Sequence, residues 1–154
     1  MGSNRRATPG GMREAVVNKV VVTPIVPTAV RWRLLRALGM DVCASTIGTN
    51  VYFGGSDISI GENVWFDAEA PIYISDGVRI GANARILTTR KAGGISGDSA
   101  AEPVLIGRGA QIGKDTVVQP GVTIGEGAVI APNSVVCENC RPNTRYAGNP
   151  AAAV

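Results

Sequence analysis

The sequence contains no histidine, the most informative absence among its 154 residues. Histidine is the usual side chain for proton transfer near neutral pH and a common metal ligand, so its absence excludes many hydrolase and zinc-enzyme mechanisms. Aromatic residues make up only 5% of the chain, too few for the stacking platforms that bind nucleic acids. The net charge is only +3 and the arginines form no dense basic tract, so we predict no nucleic-acid partner.

Cysteine is scarce as well. Cys43, Cys137 and Cys140 cannot form an even disulfide framework, so reduced thiols in a cytoplasmic protein are the simpler interpretation. Cys137 and Cys140 form a single CxxC pair. Without a second pair or a histidine, the pair predicts structural cysteines and no metal site.

Long uninterrupted apolar runs are also missing. The most apolar stretch, residues 16–30, is broken by one lysine and two prolines, and no small-residue cleavage site follows it. Such a stretch is too interrupted for a membrane span or a signal segment. We therefore predict a soluble, cytoplasmic protein with no membrane contact.

Glycine and small apolar residues are abundant. The chain has 20 glycines, and 45% of its residues are hydrophobic while only 18% are charged. This composition is too apolar for a disordered chain. The length allows one domain and leaves no room for a second core.

An aliphatic residue recurs at every sixth position in the second half of the chain. The run consists of Ile106, Ile112, Val118, Ile124, Ile130 and Val136. Four places after each of these stands a small or β-branched residue: Ala110, Thr116, Val122, Ala128, Ser134 and Cys140. The same phase appears upstream, with short slips, at Ile47, Phe53, Ile60, Phe66, Ile74, Ile80 and Ile86.

A period of six fits neither a helix nor a hairpin meander. It fits a coil in which short strands form flat faces and the chain turns a corner after each face, with glycines in the turns. Three hexads make one triangular coil, and stacked coils lie about 4.8 Å apart like parallel strands. The sequence therefore predicts an all-β solenoid, a parallel β-helix of hexapeptide repeats.

The remaining segments complete the predicted organisation. It comprises a flexible tail (1–11), an arm (12–40), the β-helix (41–140) and a C-terminal tail (141–154). In the arm, we expect the valines before Pro27 to be extended and Thr28–Leu38 to form a short helix that stops at Gly39.

One side of this helix carries a predicted apolar stripe. The stripe consists of Val30, Leu34, Leu35 and Leu38. Arg31, Arg33 and Arg36 project elsewhere, as a solvated face or as an anion site.

The six-residue beat is interrupted once, between Ile86 and Ile106. The intervening residues are rich in glycine, serine and alanine, which predicts a loop excursion over about 88–104. Excursions from a rigid scaffold often carry function, although a tolerated insertion would look the same.

Several stretches resemble the hexapeptide-repeat acyltransferases, particularly the maltose and galactoside O-acetyltransferase branch. The resemblance covers about residues 31–150 and includes LLRALGMDV, DISIGENVWF, APIYISDGVRIGANARILTT and PGVTIGEGAVIAPNSVVCENCRPNTRYAGNPA. The most specific part is the closing run with its AGNP motif at Ala147–Pro150. The resemblance implies a left-handed β-helix, a homotrimer with active sites between subunits, and acetyl-CoA lying along the helix side. The γ-class carbonic anhydrases share this type of fold but need three metal-binding histidines, so they are excluded.

The resemblance also shows where this chain departs from the family. The family's catalytic histidine deprotonates an acceptor hydroxyl, and Lys91 stands at its position here. A lysine is mostly protonated at neutral pH, so Lys91 is a candidate base, a phosphate or substrate anchor, or a solvated side chain. A pocket-lining hexad is missing after Trp65, and the carboxylates of Asp67 and Glu69 are candidates to replace it or simply decorate a turn.

The coenzyme positions that the resemblance implies are Lys114, Pro132 and Cys137. Relatives often carry lysine where Glu138 stands, and a basic residue at the place of Ala152; Arg141 and Arg145 are candidates to compensate, or belong to a solvated tail.

Three functions follow as hypotheses. The first is an acetyl-CoA-dependent acyltransferase acting on a sugar, nucleotide sugar or similar small acceptor, with an amine favoured because its attack needs no base. The second is a catalytically inactive homotrimer with a structural or interaction role. The third is a partner subunit that binds a nucleotide sugar without converting it.

Overall fold

The structure is a computed structural model that describes residues 15–21, 24–67, 69–90 and 100–154. It is a left-handed parallel β-helix of about 5 turns, which confirms the solenoid predicted from the six-residue period. The predicted flexible tail, residues 1–11, lies outside the described residues.

The strands form three faces. Face I contains β1 (Asp41–Val42), β3 (Ser59–Ile60), β6 (Arg79–Ile80), β11 (Gln111–Ile112), β14 (Val129–Ile130), β16 (Arg145–Gly148) and β17 (Ala151–Ala153). Face II contains β4 (Trp65–Phe66), β7 (Arg85–Ile86), β12 (Val117–Val118) and β15 (Val135–Val136). Face III contains β2 (Val51–Phe53), β5 (Ile72–Ile74), β10 (Val104–Ile106) and β13 (Thr123–Ile124).

The chain visits face III, then face I, then face II in each coil, and turns a corner between them. The I–II corner contains residues 61–64, 81–84, 113–116 and 131–134. The II–III corner contains, among the described residues, 67, 69–71, 87–90, 100–103, 119–122 and 137–139. The III–I corner contains residues 54–58, 75–78, 107–110, 125–128 and 141–144. In the I–II corner a residue with left-handed backbone recurs, for example Asn83 at φ 59° and Asn133 at φ 59°, and asparagine tolerates this region well.

The six-residue repeat supplies the core. Ile106 pairs with Ile124, three hexads later, so equivalent residues of successive coils stack in register. Every large apolar residue of the repeat, from Ile47 to Val136, is 3% exposed or less. The small residues four places later are buried as well, from Val78 to Ser134. The predicted roles of both positions are confirmed.

The loop excursion leaves from the II–III corner on a short stem. Its strands are β8 (Thr89–Arg90) and β9 (Ala100–Ala101), which pair antiparallel. Residues 91–99 lie outside the described residues.

The valine-rich segment before the helix is wound, so the prediction of an extended arm is wrong over residues 15–21. Val17–Val21 form a π-helical turn, and Val17 is buried. The Asn18 amide accepts a hydrogen bond from the Phe53 N–H and donates one to the Phe53 carbonyl, both at 2.9 Å. Since β2 is the end strand of face III, winding places Asn18 where it satisfies main-chain groups that no further coil pairs with.

The predicted short helix is confirmed as α1 (Thr28–Ala37). Its buried face differs from the predicted stripe, because Leu35 is fully buried whereas Val30 and Leu34 are 40% and 37% exposed. The second buried position belongs to Arg31, one helical turn before Leu35 and therefore on the same face.

Arg31 is thus neither a solvated side chain nor an open anion site, which corrects both interpretations for this residue. It is 1% exposed, and its guanidinium donates to the Val26 carbonyl at 2.9 Å and the Ile47 carbonyl at 3.0 Å. Burial lowers the pKa of Arg31. The side chain ties the helical arm to the first coil.

Replacing Arg31 with methionine will lower the free energy of unfolding by about 2 kcal/mol, because the buried Ile47 carbonyl and the partly buried Val26 carbonyl lose their donor. Exposed Arg36 on the same helix is the matched control, and its change to methionine will stay within about 0.5 kcal/mol. Urea unfolding at one protein concentration measures both. Equal stability of the two variants would show that Arg31 is not a structural tie.

The segment predicted as a C-terminal tail contains β16 and β17. Val129 pairs with Arg145 to extend face I, and β17 folds back antiparallel on β16. The last coil is two residues shorter than the others: three hexads after Ile124 stands residue 142, but the residue that bridges to Ile124 is Cys140. Cys140 is buried as predicted, but it occupies a strand position of face III and not the corner position predicted for it.

Candidate active site

A cleft of about 800 Å³ lies beside the II–III corner, where the loop stem leaves the solenoid. Its walls come from the outer side of face II, from the corner itself and from the stem strands β8 and β9. The cleft therefore joins a rigid wall to the excursion that the sequence singled out.

Trp65 and Arg85 form the face II wall. Each directly precedes a buried residue of the repeat, and alternation along a strand points it outward. The two are paired across β4 and β7, with the Arg85 guanidinium carbon 5.8 Å from the centre of a Trp65 ring. This cation–π geometry positions the guanidinium, while Trp65 remains 52% exposed.

Asp67, a predicted catalytic candidate, lines the cleft at the corner. Its carboxylate accepts hydrogen bonds from the Thr88 N–H at 3.3 Å and the Thr89 N–H at 3.0 Å. The buried Thr88 hydroxyl donates in turn to the Asp67 carbonyl and accepts from the Ala70 N–H at 3.2 Å. The Asp67 side chain thus fixes the point at which the stem departs.

Glu69, the second candidate carboxylate, is exposed and also lines the cleft. Within the described part of the chain it forms no side-chain hydrogen bond or ion pair. Of the two carboxylates, Asp67 is held by main-chain N–H groups and Glu69 has no such partner among the described residues. Lys91, the third candidate, lies outside the described residues and stays a prediction.

The stem strand β8 contributes Thr89 and Arg90 to the cleft. The Thr89 hydroxyl oxygen is buried and has no hydrogen-bond partner among the described residues. A buried hydroxyl without a partner costs free energy, so this atom favours a ligand or water in the cleft.

The five predicted coenzyme positions lie at different places around the solenoid. Lys114 and Pro132 occupy the I–II corner in successive coils, and Arg145 lies near Pro132 on the outer side of face I. Cys137 lies at the II–III corner, one coil beyond the cleft. Arg141 lies at the III–I corner.

The cysteines are free thiols. Cys137 is exposed, whereas burial of Cys140 raises the pKa of its thiol to about 11, so Cys140 stays protonated at neutral pH. Among the described residues there is no cluster of three or more Cys, Asp or Glu side chains that could hold a metal ion. No helix within the same residues is sufficiently long and apolar to cross a bilayer.

Sequence reasoning missed Trp65, Arg85 and Gln119 as cleft residues. For Trp65 and Arg85 the sequence contains a signal, because the residue just before each buried large residue points outward and returns to the same face every third hexad; Gln119 follows its buried aliphatic and is not found by this rule. Trp65, Arg85 and Val117 are consecutive neighbours by this rule. The repeat pattern does not predict how close the stem strands lie to face II.

Comparisons with known proteins agree with this architecture. The family profile "Bacterial transferase hexapeptide (six repeats)" matches residues 103–138. Galactoside O-acetyltransferase of Escherichia coli (strain K12) is 33% identical over 131 residues, which is 71% of this chain and 63% of that protein. The chain therefore spans less than two thirds of the length of this relative.

Two further proteins match a larger share of this chain. WcaF of Escherichia coli (strain K12), named for an assigned acetyltransferase role in colanic acid biosynthesis, is 30% identical over 140 residues, covering 80% of this chain and 74% of that protein. A hexapeptide-repeat-containing acetyltransferase from Vibrio cholerae O1 biovar eltor, solved with acetyl-coenzyme A, is 28% identical with a TM-score of 0.71, covering 94% of this chain and 82% of that chain. The chain belongs to the hexapeptide-repeat acyltransferase family.

Proposed function

We propose that the protein transfers an acetyl group from acetyl-CoA to a small saccharide acceptor bound in the cleft beside the II–III corner. The observation that carries the proposal is the cleft itself, which combines an exposed indole, a free carboxylate and the loop stem on a hexapeptide-repeat scaffold. In support, two relatives bear acetyltransferase names and the Vibrio cholerae structure contains acetyl-coenzyme A.

An amine is the favoured acceptor. A hydroxyl needs a base to remove its proton as it attacks, and the chain has no histidine for that task, whereas an amine loses its proton only after the N–C bond has formed. A neutral amine attacks the thioester carbonyl carbon directly. The new N–C bond forms, the C–S bond breaks, and coenzyme A leaves as its thiolate. We assign Glu69 to accept the proton that the nitrogen loses, and Asp67 to position the stem.

The scattered coenzyme positions support a homotrimer in this proposal. Lys114, Pro132 and Arg145 lie on the opposite side of face II from Cys137, and a coenzyme shared between two subunits would account for both groups of predicted positions. In a three-fold assembly the II–III corner of one subunit faces another edge of its neighbour. A coenzyme held between two subunits would then meet both groups.

Titration calorimetry with acetyl-CoA and coenzyme A, followed by a thiol-release assay, tests the proposal. We expect micromolar coenzyme binding and faster thiol release with glucosamine than with glucose. Faster release with glucose would contradict the amine preference. No coenzyme binding at millimolar concentration would overturn the enzyme assignment and favour the inactive structural trimer.

A further inference from the structure

We infer that the acceptor carries an anionic group, a phosphate or a carboxylate, and that Arg85 and Arg90 bind it. This inference rests on the proposed function, since it assigns the charge of the acceptor that the same cleft would hold. It follows from how the charged side chains around the cleft are paired.

The two arginines have no acidic partner. In the described part of the chain, neither Arg85 nor Arg90 has a carboxylate oxygen within 4.0 Å. Elsewhere on the solenoid Arg79 pairs with Asp57 at 2.9 Å, and Arg108 lies 3.9 Å from Asp76. Other exposed arginines, such as Arg33 and Arg145, also lack an acidic partner among the described residues, and what sets Arg85 and Arg90 apart is that both line the cleft.

The positions of the two guanidinium groups are set by different elements. Arg85 stands on the rigid face II wall and is held over the Trp65 ring. Arg90 belongs to the stem strand β8, opposite Ala100. A ligand in the cleft thus meets one cation from the solenoid and a second from the excursion. Guanidinium groups bind phosphate and carboxylate through paired, charge-assisted hydrogen bonds.

The carboxylates of the cleft form no ion pair with these arginines among the described residues. The negative charge of Asp67 is already stabilised by the N–H groups of Thr88 and Thr89. Glu69 is exposed and forms no ion pair within the described residues, in keeping with a role towards the acceptor amine. An uncharged sugar would leave both guanidinium groups unpaired, whereas an acidic sugar satisfies them.

The rest of the cleft fits a saccharide ring. Trp65 exposes about half of its surface, 52%, on the same wall as Arg85, and aromatic faces of this kind pack against the apolar side of a pyranose. The buried Thr89 hydroxyl, which lacks a partner among the described residues, offers a hydrogen bond from the stem side. Anion, ring and amine then each have a place in one cleft.

Titration calorimetry in the presence of coenzyme A tests the inference with three probes: glucosamine, glucosamine 6-phosphate and glucuronate. We expect at least one acidic sugar to bind about tenfold more tightly than glucosamine, and added salt to reduce this preference. The two acidic probes distinguish phosphate from carboxylate. R85Q and R90Q will each remove most of the preference, while R108Q, on the III–I corner, will keep it.

Equal affinity for charged and uncharged sugars would overturn the inference, as would an equal loss of preference in R85Q and R108Q. Circular dichroism melting of each variant shows whether it is folded. If R85Q does not fold, R90Q alone tests the inference. The proposed function fails independently: a protein that binds acidic sugars but no coenzyme A disproves the transferase assignment only. A protein that acetylates uncharged amines with no preference for acidic ones disproves the anion assignment only.

Discussion

Changing Glu69 to glutamine will lower the kcat for acetyl transfer to an amino sugar by about 100-fold, the low end of the usual contribution of a proton acceptor. The substitution keeps the size and hydrogen-bonding capacity of the side chain and removes its ability to take a proton. Because Glu69 is exposed at the cleft and is not tied to the main chain, the variant leaves the fold intact. Thiol release from acetyl-CoA measures the rate, and calorimetry will show unchanged affinity for coenzyme A.

The control is E126Q, an exposed glutamate at the III–I corner, away from the cleft. It will retain the rate of the unmodified protein. D67N is the informative comparison, since the Asp67 carboxylate holds Thr88 and Thr89 of the stem. If Asp67 positions the stem, D67N will have a higher KM and a lower thermal stability. If E69Q releases thiol as fast as E126Q does, Glu69 is not the group that accepts the proton.

Most of the fold could be predicted from the sequence because one physical rule repeats. In a coil of three short faces the space inside is limited in the same way at every corner. Each hexad therefore needs a large apolar residue in its strand and a small residue four positions later, at the next corner. Ile106 and Ala110 show the rule, and both are at most 1% exposed. Segments outside the repeat follow no such rule. The arm was mispredicted at Arg31, because a buried guanidinium needs carbonyls such as that of Ile47, which is distant in sequence.

The candidate site was predictable only in part. Asp67 and Glu69 were found from their position beside the expected cleft, and both line it. Their difference in bonding depends on the path of the stem, which places the Thr88 and Thr89 N–H groups against one carboxylate and not the other. The outward direction of Arg85 follows from the repeat, but its lack of an acidic partner among the described residues depends on the three-dimensional arrangement.

Glycine is required where corners of successive coils stack, and replacing Gly113 with alanine will show it. A Cβ atom on Gly113 would lie 2.5 Å from the Pro132 nitrogen and 2.8 Å from the Ala131 carbonyl carbon. Real Cβ atoms do not approach main-chain atoms so closely, so the two coils would have to separate. The hydrogen bond from the Gly113 N–H to the Ile130 carbonyl, at 2.9 Å, joins the same two coils.

We expect G113A to lower the free energy of unfolding by about 3 kcal/mol, at the upper end of the cost of overpacking. A domain of this size is stable by only about 5–15 kcal/mol, so the loss is readily measured by urea unfolding. G54A is the matched control. Its Cβ would meet its nearest atoms at 3.5 Å, an ordinary contact, and its stability will change by less than about 1 kcal/mol. Both proteins are compared at one concentration, because assembly shifts apparent stability.

The sequence of the I–II corner supports this expectation. The place of Gly113 is held by Gly61 and Gly81 in earlier coils, where a Cβ would also lie within 2.6 Å of a main-chain nitrogen above. In the last coil the place is held by Ala131, and there the chain above runs on through β16 and does not turn a corner. Alanine therefore occurs where no corner stacks on it. Equal stability of G113A and G54A would mean that the coils separate at little cost, and the glycines would then need another explanation.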